Sequence, residues 1–454
     1  MSTLPLATIG DAYTSSRCWE WFQRLTDIGS RMAGHDGEAA GVRVLEAAFA
    51  DAGLRAVSVT PFDVPGWWRG TSTLTVDAMP VRTFAAAHQL VALPGSPSGE
   101  VEAPVVDAGS GTPDDLATMD VADAVVLVSS RNPPTMARPC NRTEKYARAV
   151  EAGATAFLYS NDSMVGGLPA TGSVRFGGET PGPVPAVGVS HELGERLRRD
   201  AADGRQVRLV VDCRTEPATS RNVEAVVGPE TGPEIVVTAH TDGHDVGEGA
   251  RDNAAGAALL VEAGRLLAGS GVELPTRLRF LSTGAEELGL RGSHAWVERH
   301  GTADVVAHVN VDVIGFSRTM RTEGSPAVAA AFDEAAAELG APVSPTGEGD
   351  PYGSVWPFWY SDQWHFATHG VPSVTCRSVG EGGRVALGWG HTHADTADKL
   401  DRRDLRDLAI QLATGLVRLA KRADQLAPEP EQAVRARIPA DTAEYLRLEG
   451  RWPW

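Results

Sequence analysis

The chain has 454 residues, more than one hydrophobic core usually organises, so two domains or one domain with a large insertion is the starting expectation. Its 59 acidic residues against 41 basic ones give a net charge of −18, and no dense Lys/Arg run could track phosphates or anionic lipid, which argues against nucleic acid and membrane partners. Met1 to Ser16 has neither a basic start nor an apolar stretch, no window approaches a membrane span, and Cys18, Cys140, Cys213 and Cys376 form no C-x-x-C pair, so a reducing cytoplasm is the expected location.

In chain order, residues 18–56 read as a helix, a Gly-rich break at 33–37, and a second helix whose Val42, Leu45, Ala48 and Phe49 keep a helical period. From about 68 to 216 short β-like pieces (101–106, 124–128, 156–159, 207–211) alternate with Gly, Pro, Ser and Asp, which suggests an inserted domain. A third regime begins near Asn222: strand 234–239, helix 254–267, strand 277–281, helix 293–299, strand 305–311. Such alternation predicts an α/β layer fold around a largely buried sheet. A strand at 373–376 and a long amphipathic helix at about 402–423 follow, then a Pro-rich tail that could pack on the body or serve an interface. The expected divisions are 1–67, 68–216, 217–425 and 426–454, and no internal repeat is present.

The chemistry gathers after the strands of the third regime. Strand 234–239 runs into His240-Thr241-Asp242 and a loop Glu248-Gly249-Ala250-Arg251-Asp252-Asn253; strand 277–281 runs into Ser282-Thr283-Gly284-Ala285-Glu286-Glu287. Strand 305–311 is followed by Asp312, and a glycine-rich loop after Cys376 delivers His391-Thr392-His393-Ala394-Asp395. Open α/β sheets place their ligand crevice at these carboxyl ends. Two imidazoles and three carboxylates there form a nitrogen and oxygen donor set suited to zinc, and five are too many for one catalytic ion. They suit two ions sharing a carboxylate, with Asp252 as the bridge because backbone N–H groups at a helix start favour negative charge. Asp242 could hold the second nitrogen of His240. Side chains of adjacent Glu286 and Glu287 diverge, so one can bind metal while the other acts as general base. Singly, a Glu-Glu pair is usually solvated surface and a lone His usually structural; it is the joint placement that argues for a site.

Five blocks, His240-Thr-Asp242, Gly249-Ala-Arg-Asp-Asn-Ala-Ala-Gly256, Gly284-Ala-Glu-Glu-Leu-Gly-Leu-Arg-Gly-Ser293, Asn310-Val-Asp-Val-Ile-Gly315 and His391-Thr-His-Ala-Asp-Thr396, resemble in family order the dizinc aminopeptidase and glutamate-carboxypeptidase family, metallopeptidase family twenty-eight. The resemblance implies a mixed, mostly parallel sheet sandwiched between helices, the zinc exopeptidase fold. It also implies two zinc ions, one on His240 and Asp312, the other on Glu287 and His391, with Asp252 bridging and Glu286 as base. The segment between the N-terminal helices and the core looks like a β-rich protease-associated domain, notably at 149–159 and 183–194.

This chain departs from the family pattern at Ser361-Asp362-Gln363, where relatives often show Ser-Asp-His, and Gly390 leaves Tyr352 or Tyr360 as substitutes for an oxyanion-stabilising tyrosine. His244 and His393 lie near proposed ligands, and the family register chooses His240 and His391 instead. No nucleophile elbow or P-loop is present, and Cys376 in its apolar strand reads as core. The expected activity is aminopeptidase, because a free α-amine is attracted to a carboxylate-rich metal site. A carboxypeptidase or N-acyl amino acid amidohydrolase would need a cation for the substrate carboxylate, for which Arg384 and Arg377 are the candidates. A metal-free receptor or scaffold on this fold is expected to have lost ligands, and all five stand here with the base. Small peptides or N-acyl amino acids are the expected partners, and a homo-oligomer stays open.

Overall fold

The computed structural model describes residues 3–136, 138–162, 167–344, 359–380 and 388–454, which fall into two compact units. The first comprises Met1–Val64, Thr219–Ala386 and Asp395–Ile438; the second comprises Pro65–Ala218, Leu387–Ala394 and Pro439–Trp454.

The first unit opens with α1 (Leu6–Thr14), α2 (Arg17–Thr26) and α3 (Asp36–Asp51). On α3 the buried stripe Val42, Leu45 and Phe49 follows the helical period and begins at a carboxylate, Glu38. Strand β1 (Arg55–Val76) then carries the chain into the second unit.

There the elements are β2 (Arg82–Phe84), β3 (Leu90–Ala92), β4 (Gly99–Asp107), α4 (Pro113–Thr118), β5 (Val125–Ser129), α5 (Arg142–Glu151), β6 (Ala156–Ser160), β7 (Ala186–Val189), α6 (His191–Ala202) and β8 (Gln206–Val227). The strand order is β8-β4-β5-β6-β7-β3, parallel from β4 to β7 and antiparallel at both ends. Val126, Val128, Tyr146 and Phe157 pack in its core. The three helices are additions to the short strands read from sequence. Helices α5 and α6 begin at side-chain caps, Asn141 Oδ1 accepting from Glu144 N at 2.8 Å and Ser190 Oγ from Leu193 N at 3.2 Å. Their apolar stripes are too thin to stand out from loop composition.

Strand β8 leads back to the first unit and to β9 (Glu234–His240), α7 (Ala255–Gly269), β10 (Arg277–Thr283), α8 (Arg291–His300), β11 (Val305–Val311), β12 (Met320–Gly324), α9 (Pro326–Leu339), α10 (Gln363–Thr368), β13 (Ser373–Ser378), α11 (Arg402–Ala420) and α12 (Glu431–Arg437). The sheet is mixed and mostly parallel, ordered β12-β13-β11-β9-β10-β8: β9, β10, β11 and β13 are parallel, β12 and β8 antiparallel. Every residue of β9 is buried, which explains its continuous apolar run. Phe22, Phe49, Val237, Leu260, Val309, Leu412 and Leu416 belong to the core between sheet and helices. From β9 the chain goes to β10 on one side and later to β11 on the other, so the order reverses at β9, and open α/β sheets form their crevice at such a point.

The tail divides, with α12 in the first unit and α13 (Ala440–Glu449) in the second. The four cysteines are free thiols. Among the described residues no helix is long and apolar enough to cross a membrane.

Candidate metal centre

His240 is the last residue of β9, paired in register with Thr283 at the end of β10, and Asp312 follows the last residue of β11. Asp252 lies in an irregular turn over Ala250–Ala254, where it and Asn253 leave helical geometry just before α7. Gly249 enters that turn at φ +55°, and a Cβ there would stand 2.7 Å from the Asp252 carbonyl oxygen, so the turn demands glycine.

The three side chains converge. His240 Nε2 stands 3.2 Å from Asp252 Oδ1 and 3.4 Å from Asp312 Oδ1, and all three residues are buried. Zinc bonds of roughly 2.0–2.1 Å would hold tetrahedral donor atoms about 3.3 Å apart, so these separations suit one ion. Neither His240 Nε2 nor Asp312 Oδ1 makes a hydrogen bond, a costly state for buried polar atoms unless a cation completes it. Burial alone would lower the His240 pKa, yet Asp242, Asp252 and Asp312 together drive it well above the usual value, a sign of excess negative charge at this point.

Beyond β10 the chain turns at Ala285, held at φ +51°, and delivers Glu286 and Glu287. Asp242 Oδ1 accepts the Glu286 N–H at 3.0 Å and its Oδ2 accepts the Glu287 N–H at 3.1 Å. The sequence pattern gives Asp242 the second nitrogen of His240. That nitrogen, Nδ1, lies 3.1 Å from the backbone carbonyl of Asp242 and 3.5 Å from its carboxylate, which also serves the glutamate loop. Glu38 on α3 adds a third grip, its Oε1 accepting from Ala285 N at 3.2 Å. Burial, then the nearby charge of Asp242, raises the Glu38 carboxyl to about 8. Burial likewise pushes Glu286 well above the usual carboxylate range; the His240 charge opposes this, while Glu287, Asp312 and Asp362 add to it.

Arg31 fastens the loop after β9. Its buried guanidinium donates to the carbonyls of Thr241 (2.9 Å), Leu25 (3.1 Å), Glu248 (2.6 Å) and Gly249 (2.9 Å). Ser361 Oγ donates to Asp312 Oδ2 at 2.8 Å and accepts from Asn310 Nδ2 at 2.7 Å, while Thr283 donates to Asp362. The departure at Gln363 therefore leaves the neighbouring Ser361 and Asp362 engaged with the site.

His391 belongs to the segment Leu387–Ala394 of the second unit. Its backbone is at φ +58°, its carbonyl accepts from Thr171 N at 2.7 Å, and its Nδ1 lies 3.5 Å from Arg142 Nη1. Its place in the ligand set rests on the sequence motif. Tyr360 is half-buried with its ring 5.2 Å from that of Trp359. Arg384 and Tyr352 lie outside the described residues. Arg377 on β13 is paired with Glu323 of β12 at 3.2 Å.

The sequence pattern of peptidase family M28 matches residues 222–415, and that of the PA domain matches residues 101–197. Residues 222–415, which include His240, Asp252, Glu286, Glu287, Asp312 and His391, are thus similar to peptidase family M28. The chain is 28% identical over 303 residues to Aminopeptidase YwaD of Bacillus subtilis, a match covering 64% of this chain and 59% of that protein. It is 26% identical over 306 residues to Carboxypeptidase Q of Bos taurus, covering 66% of this chain and 64% of that protein. The match thus spans less than two-thirds of the length of either curated relative. The solved structure of BSAP, a zinc aminopeptidase from Bacillus subtilis, superposes with a TM-score of 0.66 at 25% identity, covering 88% of this chain and 94% of that one.

Around this site, the sequence reading assigned no role to Glu38, Arg31 or Ser361. Glu38 had a signal, because a carboxylate on the apolar stripe of a helix must find buried donors. Arg31 had none; its partners are backbone carbonyls of a loop some two hundred residues away.

Proposed function

We propose that this chain is a zinc-dependent exopeptidase acting on small peptides from the amino end, with two ions and Glu286 as general base. The buried convergence of His240, Asp252 and Asp312 beside Glu286 carries the reading, because three such donor atoms close together, with His240 Nε2 and Asp312 Oδ1 lacking hydrogen bonds, suit a divalent cation. His240 and Asp312 would hold one ion and Glu287 and His391 the other, with Asp252 shared. Two bound zinc ions would supply Lewis acidity, lowering the pKa of a water from about 15.7 toward roughly 7 and polarising the scissile carbonyl.

The chain's own residues supply the proton chemistry. Glu286, with its backbone held by Asp242, takes the proton of the attacking water on its carboxylate and returns it to the departing amine. Burial raises its pKa, which strengthens it as a proton acceptor. Arg31 holds the backbone of the loop between His240 and Asp252, and Ser361 holds Asp312, so little reorganisation is needed during the reaction.

Similarity to Carboxypeptidase Q supports a second reading, release from the carboxyl end. That reading needs a cation for the substrate carboxylate, and Arg377 is already engaged by Glu323. A substrate pair separates the two: an aminoacyl anilide with a free amine and no free carboxylate, and an N-acetylated dipeptide with the reverse. Cleavage of the first alone, abolished by chelation and restored by zinc, is expected. Cleavage of the second alone would establish the carboxyl-end activity instead.

A further inference from the structure

His244 stands four residues beyond His240, in the loop that Arg31 holds from both sides through Thr241, Glu248 and Gly249, and Gly243 N donates to the Arg31 carbonyl at 3.1 Å. This fixes the backbone around an imidazole that is itself buried. Its Nε2 lies 2.8 Å from Oε2 of Glu287. A ring nitrogen and a carboxylate oxygen that meet below the surface are the two donor types zinc takes from proteins.

We propose that His244 is a ligand of the ion that Glu287 holds, a nitrogen donor outside the five-residue set of the sequence motifs. The inference rests on the two-ion reading. It would give the Glu287 ion an imidazole from the loop between His240 and Asp252, the loop that also supplies Asp252. The rival role for His244 is to donate a hydrogen bond to Glu287 and merely orient it. A glutamine amide can replace a hydrogen-bond donor, but it is a poor substitute for imidazole as a zinc ligand.

The test takes the full chain stripped of metal and titrates it calorimetrically with Zn²⁺. A parallel Co²⁺ titration records the visible absorption of each equivalent. The parent takes up two ions. In both His244→Ala and His244→Gln the first ion binds as in the parent, which reports an intact fold. The second ion is weakened by more than about 100-fold, beyond the roughly 10–100-fold typical when an outer partner of a ligand is lost, and the absorption of the second cobalt equivalent changes. If His244→Gln binds the second ion as tightly as the parent with an unchanged spectrum, His244 only orients Glu287. The inference then fails while the two-ion reading stands. A parent that takes up a single ion overturns both.

Discussion

Glu286 and Glu287 are adjacent in the chain, and the Asp242 carboxylate accepts a hydrogen bond from the backbone N–H of each. The proposed roles predict different failures. Glu286→Gln keeps the shape and the metal but loses the proton acceptor, so turnover should fall by at least about 100-fold at unchanged zinc content; Glu287→Ala should lower zinc content and activity together. A fully metallated, nearly fully active Glu286→Gln protein would place the base elsewhere. His308 is a second test at this scale. Burial lowers its pKa to about 3, and it stacks on Phe366 with ring centroids 4.0 Å apart while Nε2 meets Thr238 Oγ1 at 3.0 Å. The unfolded chain, with a histidine pKa of about 6.5, binds this proton first, so stability present above about pH 6.5 is lost as pH falls toward 3. His308→Gln should therefore show a shallower loss of urea midpoint over that window, and identical slopes would refute the assignment. The proposed ligands His240, Asp252, Glu287 and Asp312 could be picked out because they stand at or shortly after strand ends, whereas the contact of Ser361 with Asp312 is announced by no spacing.

The parallel strands bring those ligands together, since β9, β10 and β11 end at one edge of the sheet and each releases a different donor there. These strands were legible as apolar runs bounded by turn residues. The 22-residue strand β1 was not, and β8 was read only at 207–211, because Pro61, Pro65, Gly66 and Gly70 in one and Pro217 in the other read as breaks rather than as strand interior. The link between α2, α3 and the ligand loop also escaped sequence reading, and it is carried by Arg31. Arg31→Met would leave several buried carbonyls without donors, at a cost on the order of 3 kcal/mol or more, and should weaken metal binding as the loop loosens. Arg31→Lys should not restore either property, because a compact ammonium cannot span the four carbonyls. Thermal unfolding and zinc titration of the two variants check this, and a parent-like Arg31→Lys would contradict it.

At the scale of the whole chain, the second unit gathers three stretches distant in sequence, Pro65–Ala218, Leu387–Ala394 and Pro439–Trp454. Composition could mark the long insertion but not the two later returns, because they are defined by contacts rather than by any local pattern. The net charge of −18 and the buried carboxylates around His240 both favour cation uptake. An ion that binds only the folded state stabilises it by about 2.7 kcal/mol at 100 times its Kd, so chelation should lower the melting temperature and zinc should restore it. An unchanged melting temperature would mean that the site holds no structural share of metal. The central claim is the pair of ions, and anomalous diffraction at the zinc edge from crystals of zinc-replete protein tests it most directly. Two peaks are predicted, roughly 3.5–4 Å apart, one against His240 and Asp312, the other against Glu287, with Asp252 between them. A single peak, or peaks away from these residues, would contradict it.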